Sequence, residues 1–198
     1  MSADALAADR RLIQIVDAAL AEAARLAGGW LACRPGCTQC CVGVFPINAL
    51  DAARLRRGMI ELEACDPARA AQVRERARGS VARLSEGFPG DPVSGILEEG
   101  GEAEARFDDF ANDEPCPALD PTTGLCDLYA SRPLPCRTFG PPLRMGENSV
   151  AVCELCFEGA TDEEIAACEV RTEAVEIEAS LVEQAGDRSR TLVAFALR

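Results

Sequence analysis

Residues 33–41 read CRPGCTQCC, which places four cysteines within nine residues of the 198-residue chain. Pro35 and Gly36 form a turn that lets side chains from both ends of the stretch converge. Thiols at such short spacings are more often metal ligands than disulfides when a chain lacks a secretion signal, and the N-terminal residues show no basic region followed by an apolar run. The stretch therefore predicts a metal site in a cytoplasmic protein.

Five further cysteines occur in two later groups. Three lie between residues 114 and 142, in a segment so rich in proline and glycine that it cannot form long regular elements and must be held by something else. The last two are separated by two residues, the spacing at which two thiolates commonly bind one metal. The nine candidate ligands are Cys33, Cys37, Cys40, Cys41, Cys116, Cys126, Cys136, Cys153 and Cys156.

The number of thiols leaves the number of metals open. Two four-thiolate sites would use eight of these cysteines, and a single polynuclear cluster is equally compatible with the count. We expect the side chains of Cys40 and Cys41 to diverge, so that the two serve different metals or one lies behind the ligands. Cys65 and Cys168 stand apart from the groups, and we predict that both are small buried apolar residues.

The composition excludes several mechanisms. The chain has no histidine, and its 20 basic residues are all arginines, so Ser-His-Asp catalysis, Cys/His zinc fingers, lysine Schiff bases and P-loops are ruled out. A formal charge of −13 predicts that neither nucleic acid nor membrane is a partner, and no protein partner is indicated. We identify no catalytic residue, and whether the protein is an enzyme stays open.

Three arginines lie beside cysteines and can donate hydrogen bonds to a metal-bound sulfur. They are Arg34, Arg132 and Arg137, which we predict as cofactor-binding residues. Four aspartates lie nearest the cysteine segments, and we expect most of them to be solvated or to form turns: Asp108, Asp109, Asp120 and Asp127. Trp30 and Tyr129 are expected to pack in the core or behind the ligands.

The patterns predict a mainly α fold, in which a small helical domain encloses Cys/Pro-rich metal-binding loops with at most a short β-hairpin. We expect a single domain over 1–198, with an N-terminal helix in 1–30, a cysteine-cluster region over 33–156 and a C-terminal helix over 161–186. Two more helices are predicted from Asn48 to about Met59 and from Asp66 to about Glu86. Residues 87–101 are predicted as a surface loop, 146–148 as a hairpin turn, and 192–197 as a helical turn or a strand.

The order of these motifs resembles a known family. The CRPGCTQCC stretch is followed by Cys116-Pro, Cys126-Asp-Leu-Tyr129 and Arg132-Pro-Leu-Pro-Cys136-Arg137-Thr-Phe139, as in the zinc- or iron-chelating cysteine-cluster proteins named for a CxxCxxCC signature. The first gap here holds three residues where the name has two. A flagellin lysine methylase that resembles this family carries an iron–sulfur cluster. The resemblance therefore implies iron, as well as zinc, as a metal for this chain. The resemblance implies about eight metal-binding cysteines, namely Cys33, Cys37, Cys40, Cys41, Cys116, Cys126, Cys136 and one of Cys153 or Cys156.

Three functions are compatible with the sequence. The first is a metal-binding protein that holds zinc or an iron–sulfur cluster in a structural, regulatory or metal-handling role. The second is an iron–sulfur or metal-dependent redox enzyme, and the third is a thiol-disulfide redox sensor. The spacing of Cys33, Cys37 and Cys40 also matches radical S-adenosylmethionine enzymes, but the chain offers none of the repeated strand-helix units that those enzymes need.

Overall fold

The computed structural model describes residues 3–144 and 150–198. The chain divides into two compact units, each made of two stretches. The first unit is Met1–Cys37 with Leu134–Gly186, and the second is Thr38–Pro133 with Asp187–Arg198. We describe each unit by itself, and the single domain over 1–198 stays a prediction.

Helices dominate the secondary structure, which confirms the predicted mainly α class. They are α1 Ala3–Ala27, α2 Ala49–Cys65, α3 Pro67–Leu84, α4 Gly101–Asp108, α5 Leu134–Thr138, α6 Asp162–Ala167, α7 Ala174–Ala185 and α8 Val193–Leu197. The strands are β1 Ile47–Asn48, β2 Gly90–Asp91, β3 Ile96–Leu97, β4 Leu143–Arg144, β5 Val150–Ala151 and β6 Arg190–Thr191. None of the helices in the described part of the chain is both long enough and apolar enough to cross a membrane.

The first unit is built on the long N-terminal helix. Leu12, Val16 and Ala23 of α1 are buried at helical spacing, and α1 packs against α5 and α7. Gly28 has a φ of +50°, a conformation that favours glycine, and there α1 gives way to a 3₁₀ turn that ends at Trp30. The predicted N-terminal helix is confirmed, and it brings the chain to Cys33.

The predicted C-terminal helix over 161–186 is two helices, so this prediction was wrong in its continuity. Thr161 and Glu164 form the expected capping box at the start of α6. The helix stops at Ala167 because the N–H of Val170 donates to the carbonyl of Pro142, at 2.8 Å, instead of to a helical carbonyl. Thr172 then accepts a hydrogen bond from the N–H of Ala174, and α7 begins there.

The second unit packs α2, α3 and α8 around one apolar core, which includes Ile47, Leu55, Met59, Val73 and Leu197. Helices α2 and α3 begin beside Asn48 and Asp66 as predicted, where the side chains of these two residues cap them, and Pro67 opens α3. Helix α2 runs past the predicted end at Met59 to Cys65, because the intervening residues include good helix formers such as leucine, glutamate and alanine. Residues 192–197 were predicted as a helical turn or a strand. The helical turn is correct, because these residues contain α8.

The strands form three antiparallel pairs of two residues each, which is more than the single hairpin predicted. The pair β2–β3 lies inside the predicted loop 87–101, and β4–β5 flanks the predicted hairpin turn, which falls outside the described residues. The pair β1–β6 joins Ile47 to Thr191. Its partners are far apart in the sequence, so local periodicity could not reveal it.

Gly58 of α2 is buried against Ser131, and a Cβ atom at this position would lie 2.5 Å from the Ser131 Cβ. We expect Gly58→Ala to lower the free energy of unfolding by about 1–3 kcal/mol, as overpacking does. In a helix without this contact, the same change stabilises by about 0.5–1 kcal/mol. Gly79→Ala is the matched control, because the nearest atom to its Cβ would be Arg83 Nη1 at 3.4 Å. Urea unfolding of both variants checks this, and equal effects would contradict the packing.

Candidate metal centre

Four of the predicted thiols meet in the first unit: Cys33, Cys37, Cys153 and Cys156, which we call the first set. Two tight turns bring them together. The N–H of Cys37 donates to the carbonyl of Arg34 at 2.9 Å, and the N–H of Cys156 donates to the carbonyl of Cys153 at 2.8 Å. Each turn therefore brings two thiols of the set close together.

The thiols of the first set interact directly. Cys156, Cys37 and Cys153 lie close enough to the Cys33 thiol to act on its ionisation. Burial, followed by these neighbours, raises the pKa of Cys33 to about 12. The pKa of Cys153 is also raised, first by burial and then by Cys156 and Cys37, while the N–H of Leu155 opposes the shift. Four sulfurs from two chain segments thus share one location.

Contacts around Trp30 and Gly140 fix the first set. The N–H of Phe157 donates to the carbonyl of Trp30 at 2.8 Å, and the two rings stack with their centroids 6.4 Å apart. Trp30 packs on Phe157 but is 37% exposed, so it does not lie in the core as predicted. The N–H of Cys153 donates to the carbonyl of Gly140 at 3.3 Å. These bonds tie the segment that carries Cys153 and Cys156 to the rest of its unit.

Four other predicted thiols meet in the second unit: Cys40, Cys41, Cys116 and Cys126, which we call the second set. Cys40 and Cys41 lie on a 3₁₀ turn, and the N–H of Cys116 donates to the carbonyl of Cys41 at 2.8 Å. A backbone bridge pairs Leu119 with Cys126, and the N–H of Asp127 donates to the carbonyl of Ala118 at 2.8 Å. Backbone hydrogen bonds therefore join the segments that carry this set.

The thiols of Cys40 and Cys41 lie close enough to act on each other's ionisation, contrary to the divergence that we expected. The Cys41 thiol lies close enough to Cys40, Cys116 and Cys126 for them to act on its ionisation. The interaction between the two neighbouring thiols raises the pKa of Cys41 and lowers that of Cys40 to about 6, with a smaller contribution from Arg132 to the latter.

Backbone amides face the two remaining sulfurs of the second set. Burial raises the pKa of Cys116 to about 11, and the N–H groups of Ala118 and Leu119 oppose this shift. Burial likewise raises the pKa of Cys126, where the N–H of Leu128 acts in the opposite direction. Amide donors directed at a sulfur stabilise its thiolate form, which is the form that binds metals.

The three arginines predicted as cofactor-binding lie in different surroundings. The guanidinium of Arg132 stacks 3.6 Å from the centre of the exposed Tyr129 ring, and its charge acts on Cys40 and Cys126. Arg137 is buried and donates to the carboxylate of Asp17 at 2.7 Å. Arg34 is exposed, and its carbonyl closes the turn to Cys37. The role of all three toward a cofactor stays a prediction.

The remaining three cysteines differ in exposure. Cys136 lies half-buried on α5 in the first unit and stays a predicted ligand. Cys168 is buried in a cluster with Ala27 and Phe157, so its packing role is confirmed. Cys65 is exposed on the last turn of α2, with its thiol 3.4 Å from the carbonyl of Leu62, so the prediction that it is buried was wrong.

The comparison with known proteins gives one match. Residues 32–156 match the family described as "CxxCxxCC: Putative zinc- or iron-chelating domain", and this is more than half of the chain. The chain belongs to this family. No curated protein and no solved structure matches the chain. The CxxCxxCC domain spans all four cysteines of each set, and the family description names zinc and iron without choosing between them.

The donor atoms of both sets suit the metals that the family description names. Within residues 3–144 and 150–198, no three Cys, Asp or Glu side chains already form a group that could hold a metal ion. A tetrahedral thiolate site with bonds of about 2.3 Å spaces its sulfurs about 3.8 Å apart. Each set supplies the four thiols that such a site requires.

Sequence reasoning missed the importance of Asp127, which it expected to be solvated or in a turn. Its side chain is 1% exposed and accepts hydrogen bonds from Arg69 and Arg76 of α3. The two arginines are seven residues apart and lie on one face of their helix. That spacing was visible in the sequence, but the partner more than fifty residues away was not.

Proposed function

We propose that this protein is a cytoplasmic metal-binding protein with two four-thiolate centres, one in each compact unit. The first centre uses Cys33, Cys37, Cys153 and Cys156, and the second uses Cys40, Cys41, Cys116 and Cys126. The observation that supports this division is the pattern of interactions among the thiols, which groups eight of the nine predicted ligands into two sets of four. Both Cys153 and Cys156 are then ligands, whereas the resemblance implied only one of them.

The electrostatics of the sets support a bound cation. Four sulfurs held together resist ionisation, first because burial disfavours a charged thiolate and then because each thiolate charge repels the others, as the raised pKa values of Cys33 and Cys116 indicate. A metal ion removes this repulsion by neutralising the thiolates it binds. Four thiolates around a divalent ion leave a net charge of −2, which Arg132 and the amides that face Cys116 and Cys126 would partly balance.

Closed four-thiolate sites are typical of structural metals. Zinc bound by four thiolates has no open position for a substrate, and structural zinc contributes about 10–16 kcal/mol toward folding in small domains. We therefore propose a structural, regulatory or metal-handling role, with zinc as the metal. Four cysteines also suit an iron–sulfur cluster. Bound iron would favour electron transfer and make the redox enzyme the better account.

Metal content tests the two-centre proposal. We expect about two zinc ions per chain in protein purified without a metal-affinity tag and without oxygen, because each set provides the four ligands of one ion. Cys37→Ser should remove one ion through the first set, Cys126→Ser should remove one through the second, and the double variant should hold none. Plasma mass spectrometry measures the metals, and a visible spectrum detects iron–sulfur clusters by their colour.

Two other cysteines provide matched controls for the same measurement. Cys168→Ser and Cys65→Ser should leave metal content unchanged, because neither belongs to a set. Cys136→Ser should also leave two ions bound if eight thiols suffice. Equal metal content in all variants would overturn the ligand assignment. Metal-free wild-type protein would instead favour the thiol-disulfide redox sensor.

Gly140 provides a second test, directed at the first set alone. It has a φ of +128°, and a Cβ atom at this position would lie 2.7 Å from the Cys33 Sγ. We expect Gly140→Ala to displace this sulfur and weaken zinc binding to the first set by about 10-fold or more. Competition with a chromophoric chelator measures the affinity in a Cys41→Ser/Cys126→Ser background, in which only the first set can bind.

The control for Gly140 is Gly159→Ala in the same background. Gly159 has a φ of +79°, so alanine is strained there too, but no atom lies within 4 Å of its Cβ position. Backbone strain alone would therefore weaken zinc binding equally in both variants. Equal affinities for the two variants would show that contact with the Cys33 sulfur does not matter.

A further inference from the structure

Arg76 of α3 makes hydrogen bonds to the two segments that carry Cys116 and Cys126 of the second set. Its Nε donates to the carbonyl of Pro117 at 2.9 Å, and its Nη2 donates to the carboxylate of Asp127. Pro117 directly follows Cys116, and Asp127 directly follows Cys126. One rigid guanidinium thus holds the residue that follows each of the two ligands.

The bond to Pro117 also orients an amide donor. The carbonyl of Pro117 and the N–H of Ala118 belong to the same planar trans peptide group, so they point in opposite directions. When Arg76 holds the carbonyl on one side, the N–H is directed to the other side, where it faces the Cys116 sulfur. Arg76 of α3 therefore fixes the direction of the Ala118 N–H toward the Cys116 sulfur, because the carbonyl that it binds lies in the same peptide plane.

Asp127 plays the corresponding role on the other segment. Its two carboxylate oxygens accept from different arginines, Oδ1 from Arg69 and Oδ2 from Arg76. The next residue is Leu128, whose N–H faces the Cys126 sulfur. Because the Asp127 side chain is almost completely buried, the backbone on either side of it has little freedom to turn this amide away.

Two other arginines of α3, Arg74 and Arg78, pair with carboxylates outside the segment that carries Cys116 and Cys126. Arg74 makes two bonds to Glu63 of α2, at 2.9 and 2.6 Å, and Arg78 pairs with Glu75 within α3. Both pairs are largely exposed and should contribute little to stability. Arg74 is therefore a matched control on the same helix as Arg76.

We infer that Arg76, together with Asp127 and Arg69, positions the Cys116 and Cys126 sulfurs and their amide donors for metal binding. This inference rests on the proposed four-thiolate centre of the second unit. The three residues are positioning residues, because none of them is a ligand. Outer partners that orient metal ligands typically change metal affinity by about 10–100-fold when they are mutated.

The test compares Arg76→Gln with Arg74→Gln in a full-length Cys33→Ser/Cys153→Ser background, in which only the second set can bind zinc. We expect Arg76→Gln to weaken zinc binding by about 10–100-fold and Arg74→Gln to change it by less than about 2-fold. Arg69→Gln should have a smaller effect than Arg76→Gln, because the bonds of Arg76 to Asp127 and Pro117 remain. Chelator competition measures all four affinities, including that of the background.

A second measurement separates positioning from general stability. Hydrogen exchange at the Ala118 amide, followed by NMR in reduced metal-free protein, should be faster in Arg76→Gln and unchanged in Arg74→Gln. If Arg76→Gln does not fold, Arg76→Lys keeps the charge but cannot hold Pro117 and Asp127 with one planar group, so it should give an intermediate loss of affinity.

The outcomes distinguish this inference from the proposed function. Equal zinc affinity and equal Ala118 exchange in the Arg76 and Arg74 variants would overturn the positioning role while leaving the metal centre in place. A background variant that binds neither zinc nor iron would overturn the second centre itself, and the positioning role with it.

Discussion

Four thiols gathered in one part of each unit are the constraint on which the rest of that unit depends. Burial disfavours the charged form of a thiol and neighbouring thiols make its ionisation harder still, as the raised pKa values of Cys33 and Cys116 show. A chain can hold such a group only if the surrounding elements are fixed by other contacts. In each unit, turns, backbone bonds and helices provide those contacts.

In the second unit, the backbone hydrogen bonds explain how segments without regular structure stay ordered. Buried polar groups of the backbone need partners, and here they find them in each other, as between Cys116 and Cys41 and between Asp127 and Ala118. The apolar core of α2, α3 and α8 provides the rigid part to which the loop is attached. Arg76 makes that attachment at Pro117 and Asp127, the residues that follow Cys116 and Cys126.

The sequence predicted the features that depend on local chemistry. Asn48, Asp66 and Thr161 marked the starts of helices because a capping side chain acts within three residues of itself. Features that depend on distant partners were missed or wrong. The bond from Val170 to Pro142 interrupts the C-terminal helix, and the burial of Asp127 requires two arginines from another element. The division of the thiols into two sets likewise depends on which distant segments meet.

The absence of lysine fits the chemistry of the second set. A lysine ammonium is a compact charge that can lose its proton when it is buried, whereas a guanidinium keeps its charge and offers donors at fixed angles. In the second set, the positive charge of Arg132 acts on Cys40 and Cys126. Arg76 depends on the fixed angles between its donors, because its planar guanidinium donates to the carbonyl of Pro117 and to the carboxylate of Asp127 on different segments. Lysine at either position would supply charge without this geometry.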